Sequence, residues 1–253
     1  MPACRHVTVA AFGSETHRFS EIDSTQLAAL DAARAGAPEG ALFLAESQSA
    51  GRGRHGHNWA SPPGAGLYAS LLLRPRRPAA ALLLLTLAAG LAVAEAVESE
   101  TGLRADLRWP NDLLLDDKKF CGLLIESAPE PGGLIAVLGF GINIRPAAFP
   151  PDLAPIATAL DLHVPRPVDR ERLLAAVLAA LERRYRDWRQ GEGADAALRH
   201  DFETRSRYAR NLEVVVEGTW RGVTAGLDPS GFLLVRTPEG EVRTVISGDV
   251  RPA

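Results

Sequence analysis

The chain has 253 residues, 46% of them apolar, which is enough for one large domain or for a large and a small domain. Its net charge of −3 gives no general attraction to nucleic acid or to an anionic membrane. Cys4 and Cys121 lie too far apart for a metal or redox motif, and residues 1–10 lack the apolar stretch of a secretory signal. A cytoplasmic enzyme is the default expectation.

The amino-terminal part of the chain is predicted to alternate strands and helices. Strands are predicted at residues 7–12, 18–22, 41–45 and 67–73. An Ala-rich helix is expected at 27–35, and Ser24-Thr25 just before it is an N-cap signature, so capping alone is one interpretation of Ser24. The uncharged run 79–94 is shorter than a bilayer requires, and it predicts a buried core helix that continues to residue 101.

The rest of the chain is predicted to finish one domain and to form a second. The expected elements are strands at 107–109, 113–115, 122–127 and 134–144 and an amphipathic helix at 170–189. After Arg210, short strands at 212–216, 219–227, 231–237 and 241–247 predict a small antiparallel β-barrel. We therefore expect an α/β (α+β) domain over 1–208 and a barrel over 209–253.

Lysine is rare in this chain. Only Lys118 and Lys119 occur among 28 basic residues, which suggests a position where a compact ammonium matters. They follow the segment Arg108-Trp109-Pro110-Asn111-Asp112, whose conservative interpretation is an inter-strand turn. In the functional interpretation, Asn111 binds a nucleobase or phosphate and Asp112 holds Mg²⁺. Lys119 would then stabilise the charge that develops when a carboxylate attacks an α-phosphate.

Two Gly-rich segments complete the candidate site. The loop from Gly51 to His57 combines glycines, which allow close backbone approach, with arginines, which pair with carboxylate or phosphate oxygens. It is neither a Walker loop nor a Rossmann fingerprint, and it could be a basic surface loop or a lid. The strand through Gly139 and Gly141 indicates either a ligand approach or a β-bulge. Together these segments predict a site that activates a carboxylate with a nucleotide.

Four motifs in this order resemble one known family. They are Gly-Arg-Gly-Arg-x-Gly, Arg-Trp-Pro-Asn-Asp, Lys-x-x-Gly and Gly-x-Gly-Ile-Asn, and they resemble the biotin protein ligases over essentially the whole chain. The resemblance implies a mixed-sheet catalytic domain of the class II aminoacyl-tRNA synthetase type with a C-terminal SH3-like barrel. It also implies that biotin and ATP, with Mg²⁺, give biotinyl-5′-AMP, and that the acyl group passes to a lysine of a biotin carboxyl carrier domain.

The same resemblance implies roles for individual residues. It assigns biotin binding to Ser24, Thr25, Gln26, Gln48, Arg52, Gly53, Arg54, Lys119, Gly122, Gly139 and Gly141. It assigns the nucleotide side to Trp59, Asn111, Asp112, Asn143 and His57, with Mg²⁺ on Asp112. Lys119, Arg52 and Arg54 would be catalytic. Gln26 replaces the usual Asn, and His57 stands where the family often has arginine.

Alternatives remain open at this point. A lipoate ligase or octanoyltransferase would share the catalytic fold, and a non-catalytic biotin-binding module would share the cavity. A nucleic-acid-binding barrel is weaker, because the C-terminal segment is not strongly basic. The catalytic region starts near Met1 with no helix-turn-helix before it, so no DNA binding is expected. No membrane partner is expected either, and a homodimer is an open expectation.

Overall fold

The computed structural model describes residues 11–146, 149–248 and 250–253. The strand expected at 7–12 lies outside them except for its last two residues, which form no strand. The helices are α1 (Thr25–Arg34), α2 (Leu82–Thr101), α3 (Arg170–Trp188) and α4 (Glu192–Arg205). The strands of the larger sheet are β1 (Thr16–Phe19), β2 (Leu42–Ala45), β3 (Gly66–Leu73), β4 (Asp106–Arg108), β5 (Asp112–Leu115), β6 (Lys118–Glu130) and β7 (Gly133–Asn143).

The larger sheet is mixed, as expected. Its strand order is β1-β2-β3-β7-β6-β5-β4, with β1 and β2 parallel and every other pair antiparallel. Alternate residues of the strands face opposite sides. Leu71 contributes to the main core with α2 and α3, whereas its neighbour Leu72 belongs to a smaller core with Ala29 of α1. The sheet is therefore covered on both faces, and every residue of β3 is buried.

Helix α2 is the buried helix that the uncharged run predicts. The span Ala79–Thr101 is long and apolar enough to cross a membrane by length and composition, but 72% of its most apolar window is buried inside the protein. The helix ends at Gly102, whose φ of 74° is the left-handed conformation that favours glycine at a helix C-terminus. Apolar packing between the sheet and α3 thus accounts for the composition of this segment.

The C-terminal strands form a separate antiparallel sheet. They are β8 (Arg210–Val216), β9 (Trp220–Leu227), β10 (Leu233–Arg236), β11 (Val242–Val245) and β12 (Val250–Pro252). Their order is β11-β10-β9-β8-β12, and within the described residues β11 and β12 do not pair to close a barrel. Strand β12 was not expected. The domain division between residues 208 and 209 stays a prediction.

Candidate active site

A cavity lies over the middle of the larger sheet, beside the start of α1, and is open to solvent; its space, with the open solvent at its mouth included, is about 470 Å³. Most of the predicted residues line it: Ser24, Thr25, Gln26, Gln48, Arg52, Gly53, Arg54, Trp59, Asn111, Lys119, Gly122, Gly139 and Gly141. Ala69, Ser70, Leu123, Leu124 and Phe140 line it as well and were not predicted. His57, Asp112 and Asn143 are not among its lining residues.

One end of the cavity is a buried polar cluster around Thr25. The Gln48 carboxamide oxygen accepts hydrogen bonds from the Thr25 backbone N–H at 2.9 Å and from the Thr25 hydroxyl at 3.1 Å. On its other side, the Gln48 amide nitrogen donates to the Ser61 hydroxyl at 2.9 Å. Gln48 therefore satisfies a free N–H at the start of α1 and holds the Thr25 side chain at the cavity wall.

The Gln26 carboxamide extends this cluster to the sheet. Its nitrogen donates to the Val137 carbonyl at 3.0 Å, and its oxygen accepts from the Ser70 hydroxyl at 3.0 Å. The Ser70 and Thr25 hydroxyl oxygens lie 2.9 Å apart. A Cβ atom at Gly139 would come within 2.6 Å of the Gln26 oxygen, so Gly139 makes room for this carboxamide.

The buried Ser24 hydroxyl forms no hydrogen bond with the described part of the protein. Its residue is 1% exposed, it is the N-cap residue of α1, and its side chain makes no capping hydrogen bond. Within the described part of the chain its Oγ has no hydrogen-bond partner. Because buried hydroxyls are normally paired, capping does not explain Ser24, and the lining position of this residue makes it available to a ligand.

The indole of Trp59 lies directly on two paired glycines. Gly122 and Gly141 face each other across β6 and β7. A Cβ at Gly141 would come within 2.4 Å of the indole, and a Cβ at Gly122 within 2.9 Å. The space above these glycines is therefore filled by Trp59 rather than left open. The Trp59 side chain also packs against Lys119, whose ammonium lies 5.3 Å from the ring centroid.

Lys119 is held by a carboxylate that has two cationic partners. Its ammonium contacts Asp112 Oδ1 at 2.6 Å, and Arg108 donates to Asp112 Oδ2 at 2.7 Å. Burial alone would raise the pKa of Asp112. The combined effect of the Lys119 and Arg108 cations is in the opposite direction and is larger, so the pKa of Asp112 lies below its ordinary value. The carboxylate stays ionised and fixes Lys119 at the cavity wall.

A β-bulge sets the direction of Lys119. Gly122 pairs with Asp112 and Cys121 with Leu113, but Lys119 pairs with Leu114, so Phe120 is an extra residue in β6. Such a bulge re-aims the side chains beside it. As a result, the Lys119 ammonium would lie only 3.0 Å from a Cβ at Gly122.

Asn143 contacts the Lys119 backbone indirectly, through Thr158. Its amide donates to the Thr158 carbonyl at 3.1 Å. The Thr158 N–H donates to the Lys119 carbonyl at 3.0 Å, and the Lys119 N–H donates to the Ile156 carbonyl at 2.8 Å. Asn143 therefore holds the segment that hydrogen-bonds the Lys119 backbone, and its expected contact with a nucleotide stays a prediction.

The Gly-rich loop is a small hairpin that is tied to the sheet. Its backbone closes through a 2.9 Å hydrogen bond from Trp59 N–H to Gly51 O. Arg54 donates to Asn111 Oδ1 at 3.2 Å, while Asn111 donates to the Leu123 carbonyl at 2.7 Å. Burial lowers the pKa of the Arg54 guanidinium, and the Asp112 carboxylate acts in the opposite direction. The loop thus contributes a half-buried cation near Lys119.

Two expected roles find no geometric support. His57 is exposed, and within the described residues its side chain has no ion-pair partner. Among those residues there is no group of three His, Cys, Asp or Glu side chains that could hold a metal, and both Asp112 oxygens already face cations. The donor set therefore does not fit a Mg²⁺ ion held by the protein alone.

The sequence interpretation missed three polar residues of the site: Ser61, which accepts from Gln48, and also Ser70 and Glu126. Ser70 is the one hydroxyl-bearing side chain other than tyrosine in the fully buried strand GLYASLLL, and a polar residue in such a run is a signal of a built hydrogen bond. Glu126 lies on β6 and contacts Arg52 at 2.9 Å. No sequence pattern indicates this pair, because 74 positions in the chain separate the two residues.

Comparisons with known proteins agree with this geometry. Residues 19–143 match the Biotin/lipoate A/B protein ligase family, and residues 213–251 match the Biotin protein ligase C terminal domain. The Bifunctional ligase/repressor BirA of Bacillus subtilis is 35% identical over 232 residues, which cover 90% of this chain and 71% of that protein. The Biotin–[acetyl-CoA-carboxylase] ligase of Mycobacterium tuberculosis is 36% identical over 244 residues, covering 91% of this chain and 86% of that protein.

A solved structure supports the same relationship. The biotin protein ligase from Aquifex aeolicus in complex with biotin and ATP is 30% identical, with a TM-score of 0.81. The similarity covers 95% of this chain and 100% of that one. The motifs, the mixed sheet with its C-terminal antiparallel sheet, and these matches lead to one conclusion: the chain belongs to the biotin/lipoate A/B protein ligase family, and within it to the biotin protein ligases.

Proposed function

We propose that the protein activates biotin with ATP as biotinyl-5′-AMP and then transfers the biotinyl group to a lysine of a biotin carboxyl carrier domain. The observation that carries the proposal is a cavity with two chemically different ends. One end holds the buried polar cluster of Thr25 and Gln48 and the Ser24 hydroxyl, which has no partner among the residues that the structure describes. The other end holds Lys119 and Arg54. This arrangement suits an acid with a polar head and a carboxylate tail.

In the first step a biotin carboxylate oxygen attacks the α-phosphorus of ATP. An O–P bond forms, the bond to the leaving pyrophosphate breaks, and negative charge grows on the phosphoryl oxygens. The Lys119 ammonium, fixed by Asp112 at 2.6 Å, would stabilise that charge, and the half-buried Arg54 would add to it. A pre-oriented cation contributes more than a mobile one because its orientation is already set before the reaction.

In the second step the ε-amine of the acceptor lysine attacks the acyl carbonyl carbon. The C–N bond forms, the C–O bond to AMP breaks, and the amine loses a proton to solvent. Relatives that carry the name biotin–[acetyl-CoA-carboxylase] ligase support a carboxylase carrier domain as the acceptor. Mg²⁺ enters the proposal only as the counter-ion of ATP, because the Asp112 carboxylate is already engaged by two cations. A cytoplasmic location and a homodimer stay predictions.

The test is ATP–pyrophosphate exchange with biotin, lipoate, octanoate or no acid. Exchange that depends on biotin supports the proposal, and transfer to a purified carrier domain supports its second step. Exchange that requires lipoate or octanoate would move the chain to the sister activity. Tight biotin binding without any exchange would identify a non-catalytic binding module.

A further inference from the structure

Thr158 is a buried residue whose three polar groups are all engaged. The residue is 3% exposed. Its N–H donates to the Lys119 carbonyl at 3.0 Å, and its carbonyl accepts from the Asn143 amide at 3.1 Å. Its hydroxyl oxygen lies 2.8 Å from Nε2 of His163. The residue that binds the Lys119 backbone is therefore itself bound, through its side chain, by a histidine.

The segment that holds the Lys119 backbone has little other support. Lys119 pairs with Ala157 in a single isolated bridge, and the Lys119 N–H donates to the Ile156 carbonyl at 2.8 Å. The Ile156 side of this segment faces solvent, since that residue is 58% exposed. Because no longer ladder of hydrogen bonds continues from this bridge, the contacts of Thr158 decide how firmly the segment stays on Lys119.

His163 is fixed by contacts that do not involve Lys119. It follows a short 3-10 turn, Leu160–Leu162, and Leu160 is fully buried in the main core. The Asp161 N–H donates to the Ile144 carbonyl at 2.8 Å, and the His163 N–H donates to the Leu160 carbonyl at 2.9 Å. The imidazole is largely buried, with 19% of the side chain exposed. It therefore offers the Thr158 hydroxyl a partner whose position is already set.

The imidazole has a second, weaker contact. Its Nδ1 lies 3.4 Å from Oδ2 of Asp116 in the turn between β5 and β6, and the Asp116 side chain is 89% exposed. A carboxylate accepts, so we assign a proton to Nδ1. Nε2 then accepts from the Thr158 hydroxyl when the ring is neutral and donates to it when the ring is charged. Exposed ion pairs contribute little, so the Thr158 contact is the important one.

We propose that His163 is a positioning residue for the adenylation step, which binds the Thr158 hydroxyl and so keeps the Thr158 backbone on the Lys119 carbonyl. His163 is not among the residues that line the cavity. Asp112 fixes the ammonium end of the Lys119 side chain, and Thr158 fixes its backbone end. Both ends must be held for the ammonium to face the reacting groups, and a small misplacement of such a cation costs rate.

The role given to Lys119 rests on the proposed function, so the first test needs no catalysis. Backbone amide hydrogen exchange of the full chain would be measured by NMR for wild type, His163→Leu and Thr158→Val. We expect the Lys119 and Thr158 amides to exchange about fivefold faster in both variants, because local opening no longer breaks the side-chain hydrogen bond. The amides of β3 should keep their wild-type rates.

The second test separates catalysis from binding. In biotin-dependent pyrophosphate exchange, His163→Leu and Thr158→Val should each lower kcat about tenfold. The Kd of biotin, measured by calorimetry without ATP, should stay unchanged, because the Lys119 ammonium acts on charge that develops in the reaction. The double variant should be no slower than either single one, since both substitutions remove the same contact.

A conservative variant and two controls isolate the contact. In His163→Gln the carboxamide reaches about as far as Nε2 and can donate or accept, so it should restore both the amide protection and kcat. Asp116→Asn removes only the exposed partner and should change neither. His200→Leu replaces an exposed histidine of α4 and should also behave as wild type.

The outcomes for the two proposals are distinct. Unchanged Lys119 and Thr158 amides in both variants, or faster exchange throughout the chain in both, would overturn the role of His163. Equal losses of kcat and biotin affinity would do the same, as would additive losses in the double variant. A wild type that exchanges pyrophosphate only with lipoate or octanoate overturns the proposed function alone, because the amide rates are measured without substrate.

Discussion

The guanidinium of Arg52 lies 2.9 Å from the Glu126 carboxylate, and this contact ties the Gly-rich loop to β6. The resemblance assigns Arg52 to the ligand acid, whereas here its side chain is paired with a protein carboxylate. The second oxygen of Glu126 is buried and, within the described residues, has no partner. The pair therefore acts as a restraint on the loop that borders the cavity.

Replacing Glu126 with Gln should let the loop open more often. The pair is partly exposed, with side-chain exposures of 41% and 26%, so its loss should speed release of bound biotin by no more than about fivefold. Stopped-flow dissociation measures this rate. Glu130→Gln is the matched control, because it removes a β6 carboxylate that pairs with Arg74 instead. Equal release rates in both variants would contradict the restraint.

Lys119→Arg should abolish most adenylation although it keeps the charge. The ammonium fits between Asp112 at 2.6 Å and the Trp59 ring, and a flat guanidinium needs more room. We expect a loss of about 100-fold in biotin-dependent pyrophosphate exchange. Lys118→Arg is the control, since Lys118 is exposed and does not line the cavity. Near-normal exchange in Lys119→Arg would refute the requirement for a compact cation.

Asp112→Asn should destabilise the protein in a pH-dependent way. Burial acts to raise the pKa of Asp112, but the two cations, Lys119 and Arg108, have the larger effect and hold this pKa below the ordinary value of 3.8. The unfolded chain then takes up this proton at higher pH than the folded one, so the stabilisation is complete above the ordinary pKa and is lost as pH falls through the folded value. At neutral pH we expect a cost of about 3 kcal/mol, because two cations lose their partner.

Urea unfolding of wild type and Asp112→Asn across a pH series checks this sign. The difference in unfolding free energy should be constant near neutral pH and should shrink below about pH 4. A difference that grew towards acid pH would mean that burial, and not the two cations, dominates the Asp112 pKa.

Gly141→Ala should displace Trp59. The added Cβ would lie 2.4 Å from the indole, and relief of such overpacking costs about 1–3 kcal/mol. We expect lower thermal stability together with a change in indole fluorescence and loss of exchange activity. Gly193→Ala is the control, because no other part of the described chain lies within 4 Å of its Cβ position. A variant with unchanged fluorescence and activity would show that Trp59 does not depend on the glycine.

Most of the larger sheet and its two long helices were predictable because their residues are apolar at regular spacing. Strand β3 and helix α2 are examples in which burial on both sides makes a continuous apolar run. Helix α4 was missed because Gly191 precedes it, Gly193 lies in its first turn, and the helix buries only Asp195, Leu198 and Phe202. Its place depends on a long-range contact, the bidentate pair between Arg77 and Asp195.

The candidate site was predictable where chemistry and local spacing coincide, as for Lys119 and the Gly-rich loop. The hydrogen bonds inside the site were not predictable, because Gln26, Ser70 and Val137 come from three distant segments and meet only in the folded protein. Asn143 shows the same limit. Its motif suggests a ligand contact, whereas its amide holds Thr158.

The bulge at Phe120 also explains why the motif has its spacing. In a regular strand, residues on one face are separated by even numbers of positions. Lys119 and Gly122 are three positions apart, and they both approach Trp59 only because Phe120 has no partner on β5. Deleting Phe120 would therefore not simply shorten the hairpin. It would leave the lysine and the glycine two positions apart and still on one face, but it would remove a fully buried side chain from the core. The extra residue therefore lets β6 supply a core side chain between lysine and glycine without turning either of them away from Trp59.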